Sequence, residues 1–448
     1  MLTNDQARDR AQDLIARALK AGADAVDAIY VADASTGVQV RLGALEDVQR
    51  SEGEEIGLRV FVGRQSASAS SSDLSVDALT QLAERAVAMA GQAPEDEFAG
   101  LAPEELLMRE APRDLDIDDW ADVSPQDLRE RALAAEDAAR AVKGVTNSEG
   151  GSAGAGRAII ALATSGGFAG SYSGSSHSVS ASVLAGEGAG MQRDYAYHSV
   201  RHLGDLDDAA AIGREAGDKA VARLNPIKLK SGPMPVVLDP RVGGSLVGHL
   251  IGAITGSSIA RKTSFLLEAL GTEIFGPNIT IIDDPHRLRG LRSKPFDGEG
   301  LPTSRRALID KGVLTTWLLD SASARQLGLQ PTGHAARGVG GPPGAGASNL
   351  HMEAGSISPA DLMADITEGF YVTELIGQGV NGLTGDYSRG ASGFVIRNGQ
   401  IAEAVAEVTI AGNLKEMFRN LTPANDLVFR YGTNVPTLRA EGLTLAGD

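Results

Sequence analysis

Phe394-Val-Ile-Arg-Asn-Gly-Gln-Ile-Ala402 carries the clearest structural signal in the sequence, because it specifies a β-hairpin. Asn398-Gly399 is the pair that a two-residue type I′ turn prefers, since both central residues of that turn need a positive φ. The apolar residues on either side predict two antiparallel strands. Turn residues are dense around the hairpin, so we expect an antiparallel sheet in this part of the chain.

The same region extends upstream to a cluster of prolines. Residues 371–376 and 236–238 read as further strands, and the Gly-rich apolar residues 242–259 predict a helix. Three prolines within residues 226–235 mark a boundary. We therefore predict a larger C-terminal domain, residues 226–448, of antiparallel β-sheet with flanking helices.

The N-terminal part of the chain has the signals of a helix–strands–helix unit. Residues 5–21 place apolar side chains on one helical face, and Ser75 is an N-cap candidate for a helix over residues 76–90. Runs at 25–32, 38–42 and 56–62 predict strands, and the polar run 66–72 leads to the second helix. We expect a small N-terminal α/β domain plus linker over residues 1–113.

The middle of the chain alternates small polar and apolar residues between two helical segments. Helices are predicted over residues 125–142 and 207–224. Between them, Ser and Gly alternate with apolar residues around 158–163, 168–173 and 178–184, the period of antiparallel strands. We expect a middle antiparallel-strand domain over residues 114–225. The fold class predicted for the whole chain is α+β.

Composition excludes several classes of function. A formal net charge of −17 argues against nucleic-acid binding, because phosphate neutralisation needs clustered Lys and Arg. The absence of Cys excludes disulfides, thiolate nucleophiles and Cys-ligated metals. No apolar stretch approaches the roughly 20 residues that span a bilayer, and Met1-Leu-Thr-Asn-Asp5 has no signal-peptide character. We expect a cytoplasmic protein with no membrane partner.

Three local patterns suggest chemistry, and each has a plainer reading. Gly150-Gly-Ser152-Ala-Gly154 matches a nucleophile elbow but lacks the required strand before it and helix after it. His198 and His202 have the i, i+4 spacing of zinc ligands, yet they lie in a predicted strand and turn, which separates them. The acidic residues 114–119 lack the Gly and Glu of a calcium loop and read as a solvated turn.

Several short motifs occur in one order along the chain. The C-terminal motifs are Asp297-Gly-Glu-Gly-Leu-Pro-Thr303, Leu308-Ile-Asp-Lys-Gly-Val-Leu314, Tyr371-Val-Thr-Glu-Leu-Ile-Gly377, Thr384-Gly-Asp-Tyr-Ser388, Gly390-Ala-Ser-Gly-Phe394 and Thr409-Ile-Ala-Gly-Asn413. An N-terminal motif is Gly57-Leu-Arg-Val-Phe-Val62. In this order the motifs resemble the TldD/PmbA family. The resemblance covers nearly the whole chain and implies a three-domain protein linked to peptide cleavage.

One departure from the family pattern indicates the branch. TldD-type members resemble zinc proteases with an H-E-x-x-x-H helix, in which the Glu can take a proton from metal-bound water. Here the equivalent residues are Asp239-Pro240-Arg241-Val242-Gly243-Gly244, so both His and the Glu are replaced. The resemblance therefore implies a TldE/PmbA-type subunit with no catalytic residue, no metal ligand and no cofactor of its own. Zinc is expected in a TldD-type partner.

The resemblance also implies partners and a substrate. It implies a heterodimer with a TldD-type subunit, or a homodimer when the chain is isolated, and cleavage of unfolded or flexible peptides. Modified-peptide maturation and antitoxin turnover are the expected processes. We expect Gly385, Asp386, Tyr387, Ser388 and Arg389 to line the peptide chamber, against the alternative of a structural Gly-rich turn.

Two other functions remain open at this point. The chain could be a stand-alone hydrolase that uses Ser152 or the scattered His residues. Alternatively, it could be a non-enzymatic binding protein that modulates a topoisomerase, because the family also carries a description as modulator of DNA gyrase. Peptidase activity of the pure chain would favour the first, and topoisomerase binding without a TldD-type subunit would favour the second.

Overall fold

The computed structural model describes residues 1–447. Two of the predicted helices begin at side-chain caps: Thr3 and Gln6 form a capping box, and Ser75 accepts a hydrogen bond from the Ala78 amide, as predicted. The predicted helix over residues 242–259 is divided in two at Thr255, which has an extended backbone. The α-helices within the described residues are α1 (Asn4–Lys20), α2 (Val76–Ala90), α3 (Pro125–Arg140), α4 (Ala209–Ala222), α5 (Pro240–Ile254), α6 (Gly256–Ala260), α7 (Ser321–Leu327), α8 (Pro359–Met363) and α9 (Leu414–Arg419).

The N-terminal and middle regions share one antiparallel sheet. Its strands are β1 (Ala25–Arg41), β2 (Ala44–Val62), β3 (Gln65–Ser71), β4 (Val145–Thr164), β5 (Ala169–Ala185) and β6 (Gln192–Val200). Their spatial order is β3-β2-β1-β4-β5-β6, so each region contributes three neighbouring strands. The central pair is β1 and β4, which come from different regions. This pairing joins the two regions through main-chain hydrogen bonds.

Several strands are longer than the apolar runs that predicted them. The runs at 25–32 and 38–42 are parts of the single strand β1, and those at 168–173 and 178–184 are parts of β5. The polar run 66–72 is mostly strand β3. The reason is that neighbouring strands satisfy the backbone on both sides: Ala34 faces Glu52 of β2 and Arg157 of β4. Polar side chains are tolerated where the sheet surface meets solvent.

The two faces of the sheet bury different side chains, because side chains alternate along a strand. Val26, Ala28 and Tyr30 pack beneath α1 and α2 on one face. Ile29 belongs to a separate cluster with Phe296 of the C-terminal region. The sheet is thus covered by its own helices on one side and by the C-terminal region on the other. Burying one such aliphatic side chain contributes about 1.5–3 kcal/mol.

The C-terminal region contains two larger sheets around the main hydrophobic core. Its remaining strands are β7 (Gly232–Pro233), β8 (Val236–Leu238), β9 (Ile281–Asp283), β10 (Arg306–Asp310), β11 (Val313–Leu314), β12 (Ala335–Ala336), β13 (Gly344–Ala345), β14 (Leu350–Met352), β15 (Glu368–Ile376), β16 (Asp386–Arg397), β17 (Gln400–Asn413), β18 (Leu421–Pro423), β19 (Thr433–Asn434), β20 (Leu438–Ala440) and β21 (Thr444–Ala446). The eight-stranded sheet has the order β18-β20-β8-β15-β16-β17-β21-β7, and a five-stranded sheet has the order β11-β10-β9-β14-β19. This architecture confirms the predicted α+β class.

The predicted hairpin forms as the sequence specifies. Asn398 and Gly399 have φ of 47° and 78°, and Arg397 pairs with Gln400 across the turn. Both positive φ values are those of a type I′ turn. The hairpin joins β16 and β17, which lie within the eight-stranded sheet.

Buried ion pairs tie the C-terminal region to the shared sheet. Asp27 accepts hydrogen bonds from Arg59 of its own sheet and from Arg337, and the side chains of all three residues are almost completely buried. Although burial alone would raise the pKa of Asp27, the two guanidinium groups lower it. Backbone contact is close as well, since a Cβ at Gly57 would lie 2.1 Å from the Val339 carbonyl oxygen.

The acidic segment 114–119 is more ordered than a solvated turn. Asp116 contacts Arg289 at 2.6 Å, and Asp119 contacts the buried His177 at 3.1 Å. The prediction of a solvated turn is therefore wrong for the Asp119 carboxylate, which is 9% exposed, whereas the Asp116 side chain remains 45% exposed. Within residues 1–447, no helix is long and apolar enough to cross a bilayer.

Candidate functional site

The start of α5 is the position at which the sequence departs from the H-E-x-x-x-H pattern. Asp239 caps this helix: its Oδ1 accepts a hydrogen bond from the Arg241 amide at 2.9 Å. Its Oδ2 accepts a hydrogen bond from the Tyr371 hydroxyl at 2.9 Å. Burial and the neighbouring charge of Asp239 raise the pKa of Tyr371, so the phenol stays protonated and donates. Both carboxylate oxygens of Asp239 therefore have structural roles.

A buried ion pair occupies the space beside this helix start. The two Nη atoms of Arg241 contact the two carboxylate oxygens of Asp194 at 2.8 and 3.1 Å, which is a bidentate geometry. Nε of Arg241 donates to the Thr373 carbonyl oxygen at 2.6 Å. Asp194, on β6, is 2% exposed. Burial would raise the pKa of Asp194, but the hydrogen bonds and charge of Arg241 lower it, so the carboxylate stays ionised.

The residues at this position do not fit a catalytic zinc. A catalytic zinc site needs three protein ligands from His, Cys, Asp or Glu. Gly243 and Gly244 have no side-chain donor, and Asp239 already accepts two hydrogen bonds. Across residues 1–447, no group of three or more His, Cys, Asp and Glu residues could hold a metal ion.

The other sequence candidates are not brought together into a site. Ser152 lies inside strand β4 and contacts Ser180 at 2.8 Å, so it is on no strand-to-helix elbow. His198 lies in β6 and accepts a hydrogen bond from the Asp207 amide. His202 lies beyond the strand and contacts the Asp116 carbonyl oxygen at 2.9 Å. The two His side chains have separate partners, as expected for a strand and turn.

A groove runs along β6, the last strand of the shared sheet. It consists of two adjoining cavities of about 380 and 330 Å³, which both include Ser199, Leu291 and Tyr431 in their walls. The first cavity also reaches Arg241 at the start of α5. The C-terminal region forms the opposite wall. The groove therefore passes the start of α5, the position at which the sequence resemblance predicts the H-E-x-x-x-H motif of TldD-type members.

Aromatic side chains are prominent in this groove, and the sequence reasoning missed them. Tyr195 and Tyr197 stack with ring centroids 6.2 Å apart, and Tyr197 lies 5.6 Å from Tyr431. Tyr195 and Tyr197 are 39% and 38% exposed, so their rings are available for contact. The sequence signal that could have identified them is the alternation of Tyr195-Ala-Tyr197, which places both rings on one face of a strand. The structure shows that the preceding Asp194 is buried.

The five residues expected in a peptide chamber have different environments. Gly385 precedes β16 with φ of 83°, and Asp386 and Ser388 are exposed. Tyr387 is 2% exposed and packs edge-on against His249 in the core. Arg389 is 9% exposed and lines a third cavity of about 300 Å³, which also touches Arg241. Alternation along the strand thus separates exposed from buried members of this group.

Sequence comparisons match the whole length of the chain to one family. PmbA/TldA metallopeptidase domain 1 matches residues 26–90, the central domain matches 118–224, and the C-terminal domain matches 231–447. The "Metalloprotease PmbA" of Escherichia coli O157:H7 is 40% identical over 442 residues, which cover 98% of this chain and 96% of that protein. The "Metalloprotease PmbA homolog" of Haemophilus influenzae is 36% identical, covering 96% of this chain and 94% of that protein.

Solved structures with the same architecture agree with these matches. A chain from Bacteroides thetaiotaomicron, described as a candidate modulator of DNA gyrase, has a TM-score of 0.92 and 29% identity, with 100% of both chains covered. TldE from Thermococcus kodakarensis has a TM-score of 0.88 with 98% of this chain and 100% of that chain covered, and at 22% identity it shows the fold alone. Matching family domains from residue 26 to residue 447 establish that the chain belongs to the PmbA/TldD metallopeptidase family.

Proposed function

We propose that the chain is the metal-free, TldE/PmbA-type subunit of a heterodimeric metalloprotease, and that a TldD-type partner carries the zinc. The observation that carries the proposal is the Arg241–Asp194 ion pair at the start of α5. A guanidinium group has no lone pair for a metal and repels a cation. Its bidentate carboxylate partner is already fully engaged. The position that would hold zinc in a TldD-type subunit is filled here by charged groups that neutralise each other.

The substrate we propose is an unfolded or flexible peptide in the groove along β6. An extended peptide can bind beside a sheet edge through main-chain hydrogen bonds, which tolerates many sequences. Tyr195 and Tyr197 supply rigid apolar contacts, which suit side chains of varied kind. The same chamber would be lined by the exposed Asp386 and Ser388 and would include the third cavity, which Arg389 lines. Modified-peptide maturation and antitoxin turnover, in the cytoplasm, are the processes we propose.

The 40% identity to the Escherichia coli protein named PmbA supports the choice of the PmbA-type branch, and the fold of TldE from Thermococcus kodakarensis is compatible with it. The name "Metalloprotease PmbA" of the Escherichia coli relative supports the reaction type. Both are compatible with a subunit that contributes to a protease without holding its metal. A stand-alone serine hydrolase receives no support, because Ser152 faces Ser180 across two strands.

The proposal is tested by mixing the purified chain with a TldD-type subunit. Casein or peptide hydrolysis is measured for each chain alone and for the mixture, and light scattering after gel filtration gives the mass of each species. We expect a mixed complex that hydrolyses peptide and loses activity with a chelator, while this chain alone is inert. Chelator-sensitive hydrolysis by this chain alone would refute the proposal. Failure of the two chains to associate would refute it as well.

The groove has its own control. Tyr197→Ala should lower peptide hydrolysis by the mixture, because it removes an exposed ring that stacks with Tyr195 and contacts Tyr431. Phe429→Ala removes a similarly exposed ring, 41% exposed, from the other end of the groove and so compares the two cavities. A larger effect at Tyr197 than at Phe429 supports peptide binding near α5. Equal activity of Tyr197→Ala and the unchanged chain would contradict it.

A further inference from the structure

The cavity of about 300 Å³ beside α5 is walled by four arginines from four different elements. Arg193 lies on β6, Arg223 follows α4, Arg241 begins α5 and Arg389 lies on β16. The one acidic residue in the wall is Glu374. A concentration of guanidinium groups is unusual in a chain whose net charge is −17.

Three of these arginines already have carboxylate partners. Arg241 and Arg223 both contact Asp194, at 2.8 and 3.3 Å. Arg223 also donates to Glu374. Arg193 lies 3.6 Å from Glu149 and 3.8 Å from Glu374, two longer and more exposed contacts. The positive charge of these three is therefore largely compensated within the protein.

Arg389 is the exception in this cluster. It is 9% exposed, and its one hydrogen bond is a long contact of 3.4 Å from Nε to the Ile376 carbonyl oxygen. Among residues 1–447, no carboxylate lies within 4.0 Å of its guanidinium group, and the residue lines the cavity. A buried charge without a partner costs free energy unless a counter-ion compensates it. The charge of Arg389 acts on its surroundings, since burial and this charge together lower the pKa of His249.

We propose that this cavity is an oxyanion-binding site in which Arg389 receives a carboxylate or phosphate group. The planar guanidinium presents parallel N–H donors that match two oxygens of such a group. Arg193, whose two ion-pair contacts are long, is the second contact. Glu374 sets a limit on the site, because it repels a second negative charge.

Two sources of the oxyanion have the same chemistry. One is the terminal carboxylate of a peptide, for which the cavity lies close to the groove: Tyr195, Arg241 and Ser245 border both cavities. The other is a phosphate group. The site goes beyond the proposed function, because the isolated chain contains all four arginines. Anion binding can thus fail or succeed independently of pairing with a TldD-type subunit.

Isothermal titration calorimetry of the full chain at low salt tests the site. The probes are inorganic phosphate, a short peptide with a free C-terminal carboxylate, and the same peptide as its C-terminal amide. We expect at least one of the first two probes to bind at one site and the amide to give no signal there. Arg389→Gln should weaken that binding at least tenfold. Arg397→Gln is the matched control, because Arg397 lies on the same strand and forms exposed ion pairs.

The outcomes are decisive in both directions. Binding of the free acid but not of the amide assigns the site to a peptide terminus, and binding of phosphate assigns it to a phosphate group. Arg389→Lys retains the positive charge but lacks the paired N–H donors of a guanidinium group. Its affinity for the anion should lie between that of the unchanged chain and that of Arg389→Gln. Circular dichroism verifies that each variant is folded. No binding of any probe would overturn the proposal. So would equal affinity of the unchanged chain and a folded Arg389→Gln.

Discussion

Replacement of Asp194 by alanine is the perturbation that most directly probes the ion pair beside α5. The carboxylate is 2% exposed and contacts Arg241 at 2.8 and 3.1 Å and Arg223 at 3.3 Å. Removing one partner of a buried pair costs about 3–5 kcal/mol, because the other charge is left unpaired. Arg223 keeps Glu374 as a partner, so the expected loss is at the lower end, about 3 kcal/mol.

The assay is urea unfolding followed by tryptophan fluorescence and circular dichroism. Trp120 lies before α3 and Trp317 lies in the C-terminal core, so each reports a different part of the chain. A double-mutant cycle with Arg241→Ala separates the pair from general packing. The double variant should lose less stability than the sum of the two single variants, because it leaves no unpaired charge at that position. The free energies are comparable only where both probes show one coincident transition.

The dependence on pH has a definite sign. Arg241 lowers the pKa of Asp194 in the folded state. The contribution of this ion pair to the free energy of unfolding is therefore present above the unfolded pKa of about 3.9 and is lost as the pH falls below that value. A loss below about 1 kcal/mol for Asp194→Ala, the value of an exposed pair, would refute the reasoning. Additivity of the two single substitutions would refute it as well. The exposed pair Arg397–Glu403 is the control and should show little coupling.

Three further predictions concern stability. Burial and the charge of Asp297 raise the pKa of Glu299 to about 7. The stability that protonated Glu299 contributes is therefore present below about pH 4.5 and is lost as the pH rises through 7. Glu299→Gln should flatten the dependence of the melting temperature on pH in that window. Gly399→Ala should destabilise by about 1–3 kcal/mol, because φ is 78° and the new Cβ would lie 3.0 Å from the Ala364 Cα. Arg325→Ala should expose residues 98–101 to limited proteolysis, because Arg325 donates to three backbone carbonyl oxygens there.

Each of these predictions has a control and a contrary result. An unchanged pH profile in Glu299→Gln would show that another group titrates. Gly248→Ala is the matched control for the hairpin: it lies in α5 with open space around it and should stabilise by up to about 1 kcal/mol. Equal effects at Gly248 and Gly399 would contradict the assigned turn. For Arg325→Ala, the control is the exposed Arg261→Ala, and equal cleavage rates would show that the linker is held by other contacts.

Local signals were sufficient to predict much of the secondary structure. The hairpin at Asn398-Gly399 and the cap at Ser75 were correct because each depends on a few adjacent residues. The length of β1 and β5 and the strand nature of residues 65–71 were not predicted. Those strands contain polar residues whose extended backbone is stabilised by neighbouring strands, and such pairing has no signature in the local sequence.

The candidate site was predictable only in part for the same reason. The departure at Asp239-Pro240 is local, so it could be identified from the sequence. The ion pair that fills the position joins Arg241 to a residue 47 positions away, and Arg389 approaches it from a third element. Tyr387 and Arg389 were named together, yet one is packed in the core and the other borders a cavity. Burial, which decides those roles, depends on tertiary packing.

In the proposed heterodimer, the zinc-binding position is replaced in this chain and a partner supplies the metal. This is tested most directly by the metal content of the purified chain after incubation with zinc and exhaustive dialysis, with a TldD-type subunit treated in parallel. We expect stoichiometric zinc in the TldD-type subunit and none retained by this chain. Stoichiometric zinc in this chain, lost on substitution of Asp239, would contradict it.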